Sequence, residues 1–477
     1  MKAIGVNQLK VLGMIGIVCL CGCSHHHYSN TERNAFISSF VGRSKVSNPN
    51  DVLGSPFLDK TISLDEAWLL AIEHNKRYQA ALENKAIAQG NILCARSEML
   101  PSISLAAKYK RHDDDAKNHM KRASLDEHST GLRISQAIYS GGVTKARIQQ
   151  AKLDAISQEL NVTKEREKLF YQIGLSYHRV LLAQELLQVA KDALRSANAY
   201  LGEVSKKNKL GSATKYSVIR AEVEVSLYQA QEIQAQNELD LAQAELLKEM
   251  GIKQESNIRL SDHLAFQKEE IDHIELLKVA YQNRPDLKQA ELNVKLNEES
   301  IRETRGLYNP QLNAYAETGW MKPNSYDYHR NEWDANSSVG ASISLPVFDG
   351  FKRKGELIKT KALLRKSELH LKEVEEQVSL DVKQAVLNLQ NAISFVESQS
   401  KNLDKAKEGL RLAEAGYRQG INTEIDVTDA RATLTRAKGL HYQAMQSYAI
   451  ARLALEKSCG TLGSDFASNS NFDGKST

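Results

Sequence analysis

The residues most suited to chemistry stand at the amino terminus. Leu20-Cys21-Gly22-Cys23 follows two lysines, Lys2 and Lys10, and an apolar run from Val11 to Leu20. That run is too short to cross a bilayer as a helix. The order resembles a bacterial lipobox, in which the last cysteine is diacylated and becomes the first mature residue, so Cys23 is the expected lipidation site. Each buried CH₂ of such a chain contributes about 0.8 kcal/mol, so a multiply acylated cysteine is a firm tether. Two histidine-bearing stretches offer metal-type donors: His25-His26-His27, and His112-Asp113-Asp114-Asp115 with His119 and His128. Their composition fits a solvated tether and an exposed charged loop better than an ion site. Asp426 and Asp429 are spaced as acids at a helix start, where they complement the helix dipole. There is no Walker loop, no paired zinc ligands and no nucleophile–base spacing. No catalytic residue, metal or cofactor is expected, and the chain does not read as an enzyme.

The elements that would carry these residues are mostly helical. In 477 residues there are only 7 prolines, aromatics are 6%, and long stretches consist of Ala, Leu, Glu, Gln and Lys. These side chains lose little freedom in a helix. A mean hydropathy of −0.45 excludes a polytopic helical membrane protein. The net charge of +4 is too balanced to argue for nucleic-acid binding.

The chain is written twice. Arg96 pairs with Arg305, Pro101 with Pro310, Gly141 with Gly350, Gly211 with Gly420, Val218 with Val427 and Gly251 with Gly460, each pair 209 positions apart. Similar composition alone does not give an offset that never slips. Each half begins with a helical segment, 62–98 or 273–307, broken before Pro101 or Pro310. Two alternating strands follow: Ile103 to Tyr109 and Leu132 to Tyr139, then Leu312 to Trp320 and Val339 to Phe348. Alternation over about ten residues is the weak signature of a membrane-barrel strand; two exposed hairpins on a helical protein are the plainer alternative. Trp320 and Trp333 fit an interfacial aromatic belt.

After each hairpin comes a proline-free helix. Val143 to Lys207 alone would extend about 100 Å. Ala183, Leu187, Ala190, Leu194, Ala197, Leu201 and Val204 alternate spacings of four and three, a coiled-coil seam. Return helices are expected from Lys215 to Met250 and from Glu424 to Ser458. Gly211 and Gly420 should end the long helices in left-handed turns, each with a basic residue two places before it, Lys209 or Arg418. Four strands cannot close a barrel, and an open sheet edge in lipid leaves backbone groups unpaired. If the strands enter a membrane, several chains must share one barrel.

These features resemble the TolC family of outer-membrane efflux proteins. The resemblance covers about residues 62 to 461. It rests on the duplication and on Asn283-Arg284-Pro285-Asp286-Leu287, Gln136-Ala137-Ile138-Tyr139-Ser140-Gly141-Gly142 and Leu345-Pro346-Val347-Phe348-Asp349-Gly350. The most specific stretch is Ala415-Gly416-Tyr417-Arg418-Gln419-Gly420 followed by Asp426-Val427-Thr428-Asp429-Ala430. The resemblance implies a mainly helical homotrimer with a 12-stranded membrane β-barrel and a long α-helical periplasmic tunnel. It implies an exit duct of a tripartite efflux or type I secretion system. A periplasmic adaptor (membrane fusion) protein and an inner-membrane RND or ABC transporter would be its partners, with outer-membrane lipid and no nucleic acid. Ser24, following Cys23, fits sorting to the outer membrane. A duct dedicated to a secreted adhesin or toxin, and a periplasmic coiled-coil scaffold without a pore, are the alternatives.

On this resemblance Tyr417 matches the gate tyrosine, and Asp426 and Asp429 match aspartates near the constriction. Three copies would present rings of carboxylates, whose crowding would raise their pKa. Asn422 stands where the family prototype has an arginine, and Ser217 is the first-half counterpart of Asp426. The prototype's tyrosine and arginine locks would then lack charged partners, with closure through Tyr417 and Asn422. Gly211, Arg418, Gln419 and Gly420 form the tip expected to meet the adaptor. The expected organisation is a signal peptide 1–22, a lipidated tether 23–61, repeats 62–252 and 273–461 around a connector 253–272, and a disordered tail 462–477.

Overall fold

The computed structural model describes residues 60–113, 124–268, 271–324, 326–327 and 329–463. The signal segment, Cys23, the His25–His27 run, Asp114, Asp115, His119 and nearly all of the tail lie outside the described residues.

The first half contains β1 (Lys60–Ile62), α1 (Leu64–His74), α2 (Lys76–Ser97), β2 (Ser102–Arg111), β3 (Asp126–Tyr139), α3 (Val143–Lys209) and α4 (Lys215–Met250). The second contains β4 (Ile258–Leu260), α5 (His273–Asn283), α6 (Pro285–Gly306), β5 (Gln311–Lys322), β6 (Asp334–Ser344), α7 (Lys352–Arg418) and α8 (Glu424–Ser458). No described helix is long and apolar enough to cross a membrane.

The opening helical segment of each half is two helices, not the single one expected. In the first half Asn75 ends α1 by donating its N–H to the Ala71 carbonyl, and its Oδ1 accepts from the N–H groups of Arg77 and Tyr78 to start α2. An Asx side chain serves both ends. In the second half Pro285 opens α6 and holds Arg284 extended at ψ 121°.

The main sheet is antiparallel in the order β2-β3-β5-β6. Its register sorts the side chains into two faces. Ile103, Ile134, Ala316 and Val339 form one row across the sheet; Ser104, Arg133, Glu317 and Ser338 form the next. The apolar rows lie open in the single chain, Leu105 at 77% and Val339 at 86% exposure. On the polar face Arg133 lies over the Tyr315 ring at 5.4 Å, and Ser338 donates to Glu317 at 3.0 Å. The strand limits differ from expectation most at β3 and β6. β3 starts at Asp126 rather than Leu132; β6 starts at Asp334 rather than Val339 and stops at Ser344 rather than Phe348, Pro346 having no N–H for the ladder. A bulge between Ala137 and Tyr139 leaves Ile138 outside the register.

Tight turns join the sheet to the helices. Gly141 is at φ +70°, and a Cβ there would sit 2.3 Å from the Gly306 carbonyl oxygen. Arg147 of α3 binds Glu98, at the C-cap of α2, at 3.1 Å and Glu303 of α6 at 2.8 Å. Arg353 of α7 binds Asp349 at 2.7 Å and lies over the Tyr308 ring.

Both long helices contain 67 residues, close to 100 Å each. The seam of α3 is buried at Ala183, Leu187, Ala190, Ala197 and Val204, and that of α7 at Ala392, Val396, Leu403, Ala406 and Ala413. Each pairs with its return helix. Midway along α3, Trp68 stacks on Phe170 at 5.1 Å, and Tyr177 donates to Asp262 at 2.8 Å. There β1 and β4 pair in parallel.

Candidate functional site

The hairpins α3–α4 and α7–α8 meet along a seam between α3 and α8, and that seam changes character along its length. Near the middle of the molecule it is close-packed: a Cβ on Gly174 would meet Leu453 at 2.6 Å. Toward the tips it becomes polar. Lys438 lies 3.8 Å from Asp192, the Arg431 guanidinium lies 5.0 Å over the Tyr200 ring, and Lys207 lies 4.9 Å over the Tyr417 ring. Exposed charge pairs contribute about 0–1 kcal/mol and cation–π contacts about 0.5–1 kcal/mol. Cohesion is therefore least where the helices end.

Both tips are built alike. Gly211 and Gly420 take φ +77° and +75°, left-handed conformations that a glycine adopts without strain. The Ser212 N–H donates to the Lys207 carbonyl, and the Ile421 N–H to that of Gly416. Thr214 caps α4 by accepting from the Ser217 N–H, and Thr423 caps α8 by accepting from the Asp426 N–H. Ser217 and Asp426 thus occupy matching helix-start positions.

The expected gate residues separate into two groups. Tyr417 reaches across to the other hairpin. Its expected lack of a charged partner is corrected: Lys207 Nζ donates to its hydroxyl at 3.4 Å while also binding Glu203 at 2.7 Å. Hydrogen bonding to Glu203, then to Tyr417, holds the Lys207 ammonium above its usual range against partial desolvation. Asn422 stays within its own tip. Its Nδ2 donates to the Ala413 carbonyl at 3.3 Å, and its side chain packs where a Cβ on Gly416 would be.

Asp426 accepts from the Thr423 hydroxyl and N–H, both at 2.7 Å, completing a capping box. These bonds hold its carboxyl below the usual range in the single chain. The Asp429 side chain is exposed, as are Arg418, Gln419, Gly211 and Gly420 at the tips. In the strand hairpin His112 pairs with Glu127 at 2.9 Å.

Three charged residues of the seam escaped the sequence reading: Lys207, Glu224 and Arg431. The last two carried a signal. Glu224 falls between Ala221 and Tyr228, and Arg431 between Val427 and Leu434, at the four-and-three spacing of the apolar seams.

The description "Outer membrane efflux protein" belongs to the family model that matches residues 69–251 and 276–461, one stretch in each half. Outer membrane protein TolC of Escherichia coli strain K12 is 24% identical over 422 residues, 86% of this chain and 84% of the relative. The alkaline protease secretion protein AprF of Pseudomonas aeruginosa is 21% identical over 418 residues, 84% of this chain and 85% of the relative. Among solved structures, the outer membrane protein VceC of Vibrio cholerae superposes with a TM-score of 0.68 at 18% identity, covering 83% of this chain and 96% of that one. The chain belongs to the outer membrane efflux protein family and is an exit duct of the outer membrane, not an enzyme.

Proposed function

We propose that three copies of this chain close a twelve-stranded barrel and pool their hairpins into one tunnel, gated at the tips by Tyr417 and its neighbours. The family's channels are homotrimers that work with adaptor proteins and inner-membrane pumps. The observation that carries the proposal is the sheet itself. Among the described residues the outer edges of β2 and β6 are unpaired, and one face of the sheet is apolar and exposed. Lipid tolerates the apolar face but not the edges, and edge-to-edge joining of copies satisfies both.

In this arrangement Cys23 carries the lipid anchor. Asp426, Asp429 and Ser217 ring the tunnel mouth beside Tyr417 and Asn422, and Gly211, Arg418, Gln419 and Gly420 face the adaptor. An RND or ABC transporter drives the substrate. The test is single-channel recording of protein purified from outer membranes, with heat-sensitive trimers on gels. Stable conductance from trimers supports the duct; a water-soluble single subunit without conductance refutes it.

A protein-secretion duct is the second version, favoured by the likeness to AprF, whose name makes it a protease secretion protein. Deletion separates the two. Loss of one secreted protein supports secretion, and hypersensitivity to small toxic compounds supports efflux.

A further inference from the structure

Between the two hairpins, beginning about two turns from the tips, lies a cleft of ≈ 170 Å³ bounded by α3, α4, α7 and α8. It has room for several water molecules. Glu224 of α4 and Arg431 of α8 both line it. Arg431 also reaches the other two helices, lying over Tyr200 of α3 and 3.5 Å from Glu414 of α7. Three polar atoms here are buried and have no hydrogen-bond partner in the protein: Glu224 Oε1, Arg431 Nε and Arg431 Nη1. Each could be solvated freely if the hairpins parted. Their incomplete satisfaction is a cost borne only while the hairpins are together.

We propose that Glu224 is a proton-sensitive brake on the pairing of the two hairpins and that Arg431 is the positioning residue that restrains it. The proposal rests on the duct reading and names a regulation of its gate. An ionised Glu224 in the cleft opposes closure, and Arg431 offsets that opposition by supplying a counter-charge shared with Glu414. Protonation removes the opposition. Arg431 and Glu424 of α8 and Arg220 on its own helix act on Glu224, with Tyr200 of α3 and Tyr228 beside it; Asp192 of α3 and Lys438 of α8 line the same cleft, and Glu414 of α7 pairs with Arg431.

The sign follows from where the proton binds more tightly. Burial pushes the Glu224 carboxyl up, against the influence of Arg431 and Arg220, with Glu424 adding to the rise. The paired hairpins therefore bind a proton more tightly than separated, hydrated ones. Closure is favoured below the carboxyl's ordinary range and weakens as pH rises through the raised value. A simple holding salt bridge has the reverse dependence, and this difference makes the proposal testable.

The experiment compares wild type, Glu224→Gln and Arg431→Gln in planar bilayers between pH 5 and pH 7.5. Wild-type open probability should rise with pH. Glu224→Gln should lower it about fivefold at pH 7.5 and flatten the profile, while Arg431→Gln should raise it by a similar factor. An increase in Glu224→Gln, or a pH profile like wild type's, overturns the proposal while leaving the duct intact. Absence of wild-type channels would refute the duct instead.

A second readout needs no channel. In a Cys94→Ser background, Ser196→Cys and Thr435→Cys place one thiol on each side of the same cleft. At a fixed pH of 7.5, adding Glu224→Gln should speed disulfide formation between them and adding Arg431→Gln should slow it. Equal rates in all three would also overturn the proposal.

Discussion

Asn75 and Arg284 stand 209 positions apart, and each donates a side-chain hydrogen bond to the carbonyl 174 residues downstream. Asn75 Nδ2 reaches Glu249 at 2.8 Å, and Arg284 Nη1 reaches Ser458 at 3.4 Å. Each joins the helix break at the start of its half to the end of the return helix. The following glycines, Gly251 and Gly460, fit against the same breaks: a Cβ on the first would lie 2.5 Å from the His74 carbonyl oxygen, and on the second 3.0 Å from the Arg284 nitrogen. The duplicated contact has kept its place and changed its chemistry.

That change predicts unequal effects. Arg284 forms a two-pronged pair with Asp286, at 3.0 and 2.6 Å, and a third bond with Asp381 at 2.8 Å. Arg284→Gln should destabilise the chain by about 3 kcal/mol, since it strands two partly buried carboxylates. Asn75→Ala, which loses a cap, should cost about 1–2 kcal/mol. Urea midpoints of the purified protein measure both, and equal losses would contradict the account.

Glu167 of α3 gives a pH dependence of its own. It is buried, and desolvation pushes its carboxyl up to about 7 against the pull of Arg166. Because the folded value is raised, its contribution is fully present below the ordinary carboxylate range and is lost as pH rises through about 7. Glu167→Gln should therefore stabilise the protein on the order of 1–2 kcal/mol at pH 8 and change little at pH 4. Denaturation midpoints at the two pH values check this, and equal shifts at both would contradict it.

At the tips, Tyr417→Phe removes the hydroxyl but keeps the ring beneath Lys207, whereas Lys207→Gln removes both contacts. Both variants should raise closed-state conductance, with Lys207→Gln larger by about twofold, from a cation–π contribution of about 0.5 kcal/mol. Bilayer recording at one fixed pH compares them. Unchanged conductance in both would argue against a lock at this contact.

The two faces of the sheet make a parity prediction. Val339→Arg places a charge on the apolar face at a cost of about 2–4 kcal/mol at mid-bilayer. Ser338→Arg places one beside Glu317 on the polar face. The first should abolish heat-resistant oligomers in membrane fractions, and the second should leave them intact. Equal outcomes would mean that the faces are not divided between lipid and lumen.

Local regularities made most of this architecture legible. Alternation over the strand hairpins and the four-and-three spacing of Ala183 to Val204 depend on nearest neighbours along one element, and they fixed element type and place. The tips were legible because glycine signals a left-handed turn. The division at Asn75 was missed because an asparagine inside an apolar pattern does not announce that its side chain will cap the following helix. The partners of Tyr417 and Arg431 were missed for a different reason. Which faces of α3 meet α7 and α8 is decided by packing over the full length of the helices, and no short stretch of sequence encodes it.

Cross-linking of the sheet edges tests the central claim most directly. A single chain carrying Leu105→Cys on β2 and Val339→Cys on β6, in a Cys94→Ser background, would be treated in outer membranes with a short bismaleimide and resolved by mass. The account predicts a ladder that stops at three linked chains. Single chains alone, or a ladder that continues past three, would contradict it.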